Sequence, residues 1–154
     1  MSTMSTLEAE LSDKTRDRSP ARHQFLTDVL ITAVENGGHG WFEVLEYHPD
    51  APAPFAVVVA DDDDEDDPTP LRIDLDIIAR GLGIIRRARH EAITDGPDID
   101  QQVLHNSVTG QRLYMSADMR QRIVAADRSN EADIDVIDAL AIVECGLFGG
   151  VTYA

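Results

Sequence analysis

Lysine is almost missing from this 154-residue chain: of 13 basic side chains only Lys14 is lysine, and the rest are arginine. Basic charge as a whole is scarce, with 13 positive groups against 29 acidic ones and a formal net charge of −16. A surface so negative repels nucleic-acid phosphate and anionic lipid. Cysteine occurs once, at Cys145, which excludes an internal disulfide and a disulfide-built scaffold. No apolar run approaches the roughly 18 residues of a membrane-spanning helix. The first 18 residues lack the basic start and apolar stretch of a signal peptide, so a cytoplasmic protein is expected. No nucleophile elbow, phosphate-binding loop, dinucleotide fingerprint or close pair of zinc ligands is present, which lowers the expectation of an enzyme. There is no internal repeat and no sign of a second domain.

What is present is enough for one domain. Hydrophobic residues make up 43% of the chain, a globular share, and a chain this long can bury about two thirds of its unfolded surface without metal or cross-link. Residues 1–18 read as a flexible tail and 19–154 as a single α+β domain with an acidic loop at 61–70. Ser19-Pro20 opens a helix over about 20–36, with serine as N-cap and proline at the first helical position, and Asn36-Gly37-Gly38 closes it. Segments 41–48 and 55–60 are rich in aromatic and branched residues and form an antiparallel hairpin around a proline-rich loop; 71–74 adds a third strand and 150–153 a fourth at the edge. Asp74 or Asp76 caps a second helix that runs into Arg86, Arg87 and Arg89. Gly81 and Gly83 inside it each cost about 1 kcal/mol against alanine, which predicts that another element packs closely there. Residues 90–110 have weak pattern, and 101–108 fits either a short helix or a strand. Ser116 caps a third helix over about 117–128, with Met119, Ile123, Val124 and Ala126 inward. Asp133 or Asp135 caps a fourth, with Val136, Ile137, Leu140 and Val143 inward and Gly146 and Gly149-Gly150 as its stop. The fold class is therefore α+β: a small antiparallel sheet of three to four strands with about four helices packed mainly on one face. Trp41, Tyr47, Leu82, Ile85, Ile123, Leu140 and Phe148 are expected in or near the core.

The candidates for chemistry are few. Asp61, Asp62, Asp63, Asp64, Glu65, Asp66 and Asp67 form an unbroken acidic run, which mutual repulsion keeps solvated. Divalent cations take several oxygen ligands, but the run lacks the glycine with which a calcium loop turns, so no metal site is assigned. Asp74-Leu75-Asp76 and Asp133-Ile134-Asp135 lead straight into helices, and capping explains their carboxylates. Gly37-Gly38-His39-Gly40 follows a helix and precedes a strand, the reverse of a phosphate cradle. Cys145 lies between apolar positions and reads as a buried thiol. Arg86-Arg87-Ala88-Arg89-His90 is the one basic cluster; it has no interleaved aromatic for base stacking and reads first as cations at the negative end of the helix, second as an internal partner for the acidic loop. Charge is uneven: residues 80–128 hold eight arginines against six acids, so the negative charge concentrates elsewhere.

The order of elements and short motifs resembles a group of small acidic proteins encoded by actinobacteria and by their phages and plasmids. The likeness rests on Gly37-Gly38 closing the first helix, Trp41 and Tyr47, and Ile78-Ala79-Arg80-Gly81-Leu82. It continues in Asp133-Ile134-Asp135 with Asp138-Ala139, and in Gly146-Leu147-Phe148-Gly149 with Tyr153. It covers residues 24–154. The group has no assigned activity, so the resemblance carries over no catalytic residue. It implies context, since mobile elements carry many small proteins that bind and block host machinery. The leading expectation is a non-enzymatic acidic protein that binds a basic or nucleic-acid-binding host protein by charge mimicry. Its partner-binding residues would be Asp61 to Asp67 with Glu43, Glu46 and Asp50. No cofactor, direct nucleic-acid contact or membrane contact is expected. Two other readings stay open: an accessory, dimerising module whose acidity serves solubility, and a small enzyme with a pocket near Trp41 and His39.

Overall fold

A computed structural model describes residues 18–36, 41–60, 69–92, 102–131 and 134–150. The acidic run, His39, Asp133 and the 151–153 part of the expected edge strand lie outside them. In chain order the elements are α1 (Pro20–Asn36), β1 (Phe42–His48), β2 (Phe55–Ala60), β3 (Leu71–Asp74), α2 (Leu75–Arg86), β4 (Arg89–Ala92), β5 (Gln102–His105), β6 (Arg112–Leu113), α3 (Ala117–Ser129) and α4 (Val136–Phe148). The strands form two antiparallel sheets, ordered β1-β2-β3 and β4-β5-β6. The α+β class and the first three strands stand as expected.

Helix starts are decided locally. The Ser19 hydroxyl accepts from the Arg22 amide at 3.1 Å, Ser116 from Met119 at 3.1 Å, Asp74 from Ile77 at 2.9 Å and Asp135 from Asp138 at 2.8 Å. Each satisfies a first-turn N–H that has no partner within its helix. Asn130 and Gly149, at φ 54° and 81°, end α3 and α4 in the left-handed conformation that asparagine and glycine tolerate.

The centre of the molecule is α4. Ala139, Ala141, Ile142, Val143, Cys145 and Gly146 are all buried, so this helix is enclosed on most sides, as a nearly all-apolar helix must be. Its main neighbour is α2, with α1 packed against both and α3 against α2. The α2–α4 crossing is built on two glycines. A Cβ on Gly81 would overlap the Ile142 carbonyl oxygen, and one on Gly146 would overlap the Ile77 carbonyl oxygen. The close approach expected at Gly81 is therefore present. At Gly83 it is not: a Cβ there meets only the Arg87 guanidinium, at 3.1 Å.

The first sheet turns Phe42, Ala56, Val58 and Ile73 into the core. A bulge between Val44 and Glu46 inserts Leu45 as an extra residue in β1. Strict alternation from Phe42 would aim Glu46 and His48 inward; the bulge resets the phase, so Tyr47 faces the core side and Glu46 stays exposed. The Tyr47 hydroxyl then donates to Glu35 Oε2 at 2.5 Å, tying β1 to the end of α1.

Three expectations are corrected, at Arg89, Gly146 and Ile137, and one alternative is decided. Arg89 belongs to β4, because α2 ends at Arg86. Of the two alternatives for 101–108 the strand holds, at 102–105, and it belongs to a second sheet that the weak local pattern did not reveal. Gly146 does not stop α4 but sits inside it, at the α2 crossing. Ile137 is 62% exposed, because the first turn of α4 buries Asp138 and Ala139 instead, while Leu140 and Val143 face the core as expected.

Candidate functional site

The acids named from sequence separate into two groups. Asp61 to Asp67 fall outside the described residues; in sequence they follow directly on β2, the central strand of the first sheet. Glu43, Glu46 and Asp50 are exposed. Glu43 pairs with Val59 and Glu46 with Val57, which places both glutamates on the face of the sheet opposite the core. Asp50 lies in the turn after β1.

That outer face is open to solvent at Glu43, Leu45, Glu46, His48 and Arg72. It is not uniformly acidic. Arg72 pairs with Val57 from the other side, across from Glu46. Its guanidinium lies 3.9 Å from the centre of the Phe55 ring and its Nε 3.5 Å from Asp74 Oδ2. The His48 ring lies 4.8 Å from the Phe55 ring, and its Nε2 is 3.6 Å from Glu46. The face thus carries a half-exposed apolar strip, Phe55 and Val57, flanked by acids on β1 and a cation on β3. Nothing in the sequence singled out Phe55 or Arg72; only pairing register brings them beside Glu46.

The remaining candidates take structural roles. Asp74 and Asp135 cap helices, and Asp76 accepts from Arg18 at 2.7 Å. Cys145 is fully buried, and burial first, then the neighbouring Glu144 charge, pushes its thiol up to about 12. Such a thiol is a poor nucleophile at neutral pH. In the basic cluster, Arg86 faces Asp127 at 3.4 Å, so its partner is an acid of α3; the expected link to the acidic loop lies outside the described residues. Asp127 itself is 6% exposed and also meets Arg22 at 2.6 Å. Asp138, 1% exposed, is held by Arg122 at 3.1 Å. The tyrosine hydroxyl of Tyr47 is pushed well above its usual range by burial and by Glu35, so it stays a hydrogen-bond donor. Among the described residues, no group of three or more histidine, cysteine, aspartate or glutamate side chains is placed to hold a metal ion.

Trp41 packs against the rings of Phe42, at 5.0 Å, and Phe148, at 5.5 Å, while His39 lies outside the described residues. A cavity of about 380 Å³ opens at the other end of β1, where the 52–54 loop, the residues ahead of α1 and the β3–α2 junction meet. No helix among the described residues is long and apolar enough to cross a membrane. No protein-family model, curated protein or solved structure matches the chain.

Proposed function

We propose that this chain is a non-enzymatic acidic binding protein of the cytoplasm that engages a basic protein partner. The observation that carries the reading is the outer sheet face: Glu43 and Glu46 are exposed on β1, beside the strand that leads directly into seven consecutive acids. Opposite charge steers such a surface to its partner, and the half-exposed Phe55–Val57 strip supplies apolar area to bury on docking.

The sharper version is charge mimicry of DNA against a nucleic-acid-binding host protein, a reading to which the resemblance to mobile-element proteins lends context. Glu43 and Glu46 face Val59 and Val57, two residues apart on β2, so they stand about 7 Å apart at roughly 3.3 Å per residue. A DNA strand carries one charge per roughly 3.4 Å of axis, so the sheet alone is too sparse. Arg72 also interrupts it. Mimicry therefore asks Asp61 to Asp67 to supply the charge density, with Glu43, Glu46 and Asp50 extending the patch.

The test is capture from nuclease-treated host lysate at low and high salt, followed by competition with duplex DNA. The expected partner binds nucleic acid itself, is released by salt and by DNA, and is lost when Asp61 to Asp67 are replaced by serine. Capture that survives this replacement, or no capture above background, refutes the reading. The alternative of a dimerising module draws on Leu45, 52% exposed on the edge strand β1. The bulge at that same residue works against edge-to-edge pairing. Sedimentation as a monomer at high concentration would dismiss the dimer.

A further inference from the structure

The second sheet carries a row of basic side chains. Its pairing places Arg89 on β4 opposite His105 on β5, and His105 opposite Arg112 on β6. Residues directly opposite share a face, so the three stand side by side across the sheet, with the arginine backbones about 10 Å apart at roughly 4.8 Å per strand. Leu104 and Leu113, each one residue along, are buried, so the row lies on the face turned away from the core. Arg89 and Arg112 are exposed, and the Arg112 guanidinium lies 4.8 Å from the centre of the exposed Tyr114 ring. Two rungs along, Glu91 pairs with Val103, so the basic character belongs to the row and not to the whole sheet. Other arginines meet acids: Arg18 meets Asp76, Arg22 and Arg86 meet Asp127, and Arg122 meets Asp138. Among the described residues, Arg89 and Arg112 meet none, in a chain that carries 29 acids.

We infer that this row is the docking face for the chain's own acidic run, Asp61 to Asp67, bound within the same molecule. The run starts close to it. It leaves β2 after Ala60, which pairs with Phe42. The adjacent Trp41 ring lies 5.5 Å from the Phe148 ring at the end of α4. The next residue, Gly149, accepts from Asn106 Nδ2 at 3.0 Å, and a Cβ on Gly150 would meet the Arg112 carbonyl oxygen at 3.0 Å. A short path of contacts thus joins the root of the run to the edge strand β6. The length suffices as well: residues 61–70 separate β2 from β3, and half of that segment, extended, spans about 17 Å. The planar fork of arginine matches a carboxylate. A free polyanion is repelled by a net charge of −16, whereas the tethered run is already present at an effective concentration on the order of millimolar. Exposed ion pairs are individually weak, so the contact exchanges and responds to salt. It does not rest on the protein-binding reading; a basic partner, where there is one, has to displace Arg89 and Arg112 from the run.

The experiment is paramagnetic broadening of amide NMR signals in the full chain, with a nitroxide on Asp64→Cys and with Cys145→Ala as the background. Phe42 and Ala60, beside the root of the run, should broaden in every sample and so report that the label is present. His105 and Tyr114 should broaden at about 0.01 M salt, and about threefold less or lower still at about 1 M, where the Debye length has shrunk from about 30 Å to about 3 Å. Arg89→Gln combined with Arg112→Gln, at exposed positions that leave the core untouched, should cause the same loss at low salt. A mixed sample, with the nitroxide on one copy and the isotope on another, should show no broadening. Absence of broadening at His105 and Tyr114 at low salt would overturn the assignment. So would broadening unchanged by salt or by the double substitution. Broadening of these signals in the mixed sample would overturn it too, by placing the run on a second copy. Capture from a lysate reads none of these signals, so the two readings fail separately.

Discussion

The α2–α4 crossing offers a test in which two alanine substitutions on one helix have opposite signs. Gly81 and Gly83 are two residues apart in α2, and both are buried. On intrinsic propensity alone, alanine at either site should stabilise the helix by about 0.8–1 kcal/mol. At Gly81 that gain is overwhelmed. Its Cβ would overlap the Ile142 carbonyl oxygen, with the Gly146 amide nitrogen 3.1 Å away, and neither backbone atom can rotate aside. The helices must separate, loosening Ile78, Leu82 and Ile85 against Ala139, Ile142 and Cys145. Overpacking of this kind costs about 1–3 kcal/mol and sometimes more. Because backbone is the obstacle, the upper end applies, and Gly81→Ala should lose about 2–3 kcal/mol net of propensity. At Gly83 the nearest atom is the end of a mobile arginine, Arg87 Nη2 at 3.1 Å, so Gly83→Ala should gain up to about 1 kcal/mol. With roughly 2–4 °C of Tm per kcal/mol for a chain this size, the two variants should differ by about 4–16 °C in thermal melts. Gly146→Ala should resemble Gly81→Ala, and the double variant should cost less than the sum, since one separation relieves both overlaps. Equal melting of Gly81→Ala and Gly83→Ala would refute the close-crossing argument.

Two other perturbations follow from the buried polar groups. Asp127→Ala should cost about 2–3 kcal/mol in urea denaturation, because it leaves Arg22 and Arg86 facing a gap; the value sits below the 3–5 kcal/mol of a fully buried pair because both arginines reach solvent. Asp127→Asn, which keeps shape and hydrogen-bonding capacity, should cost less; equal loss would mean packing, not charge, holds the site. For Cys145 the folded thiol titrates at about 12 against 9.0 ordinarily, so the unfolded chain releases its proton first as pH rises. Stability should be unaffected below about pH 9 and fall by up to about 1.4 kcal/mol per pH unit between there and about 12. Cys145→Ala should remove that part of the alkaline loss, and a thiol reagent at neutral pH should label the wild type only as fast as the chain opens.

What was legible in the sequence was local. Ser19, Asp74, Ser116 and Asp135 announce helix starts because a cap acts within three residues of itself. The first hairpin was legible because its strands carry aromatic and branched residues on both sides of a proline-rich break. The second sheet was not: β6 has two residues and β4 has four, too short for alternation to register, and the stability of each comes from its partner. In α4, Val143 and Leu140 face the core as read, but Ile137 does not: alanines and a glycine carry much of the buried face, and a buried Asp138 sits where a polar residue would be read as outward. Small residues hide a contact face from a count of large apolar ones, and the Gly81–Gly146 approach shows why they are there.

The acidic run and the cavity beside the 52–54 loop differ in the same way. The acidic run is legible because it is contiguous, and a run of like charge says where a field originates without saying what meets it. The cavity has no contiguous signal at all. Arg18 precedes α1, the 52–54 loop joins β1 to β2, and Asp74 to Asp76 bridge β3 and α2. Their meeting depends on β3 pairing with β2 so that Asp74 comes to lie beside Phe55, next to the loop's end. The only local trace is Pro52-Ala53-Pro54, which reads as a break in strand structure, and breaks are where a fold can leave room. An unpartnered buried donor, Arg18 Nη1, is visible only once the chain is folded. Exposed charge, by contrast, needs no partner, because water already satisfies it, so the acidic run has to be tested by what it captures and not by what it lacks.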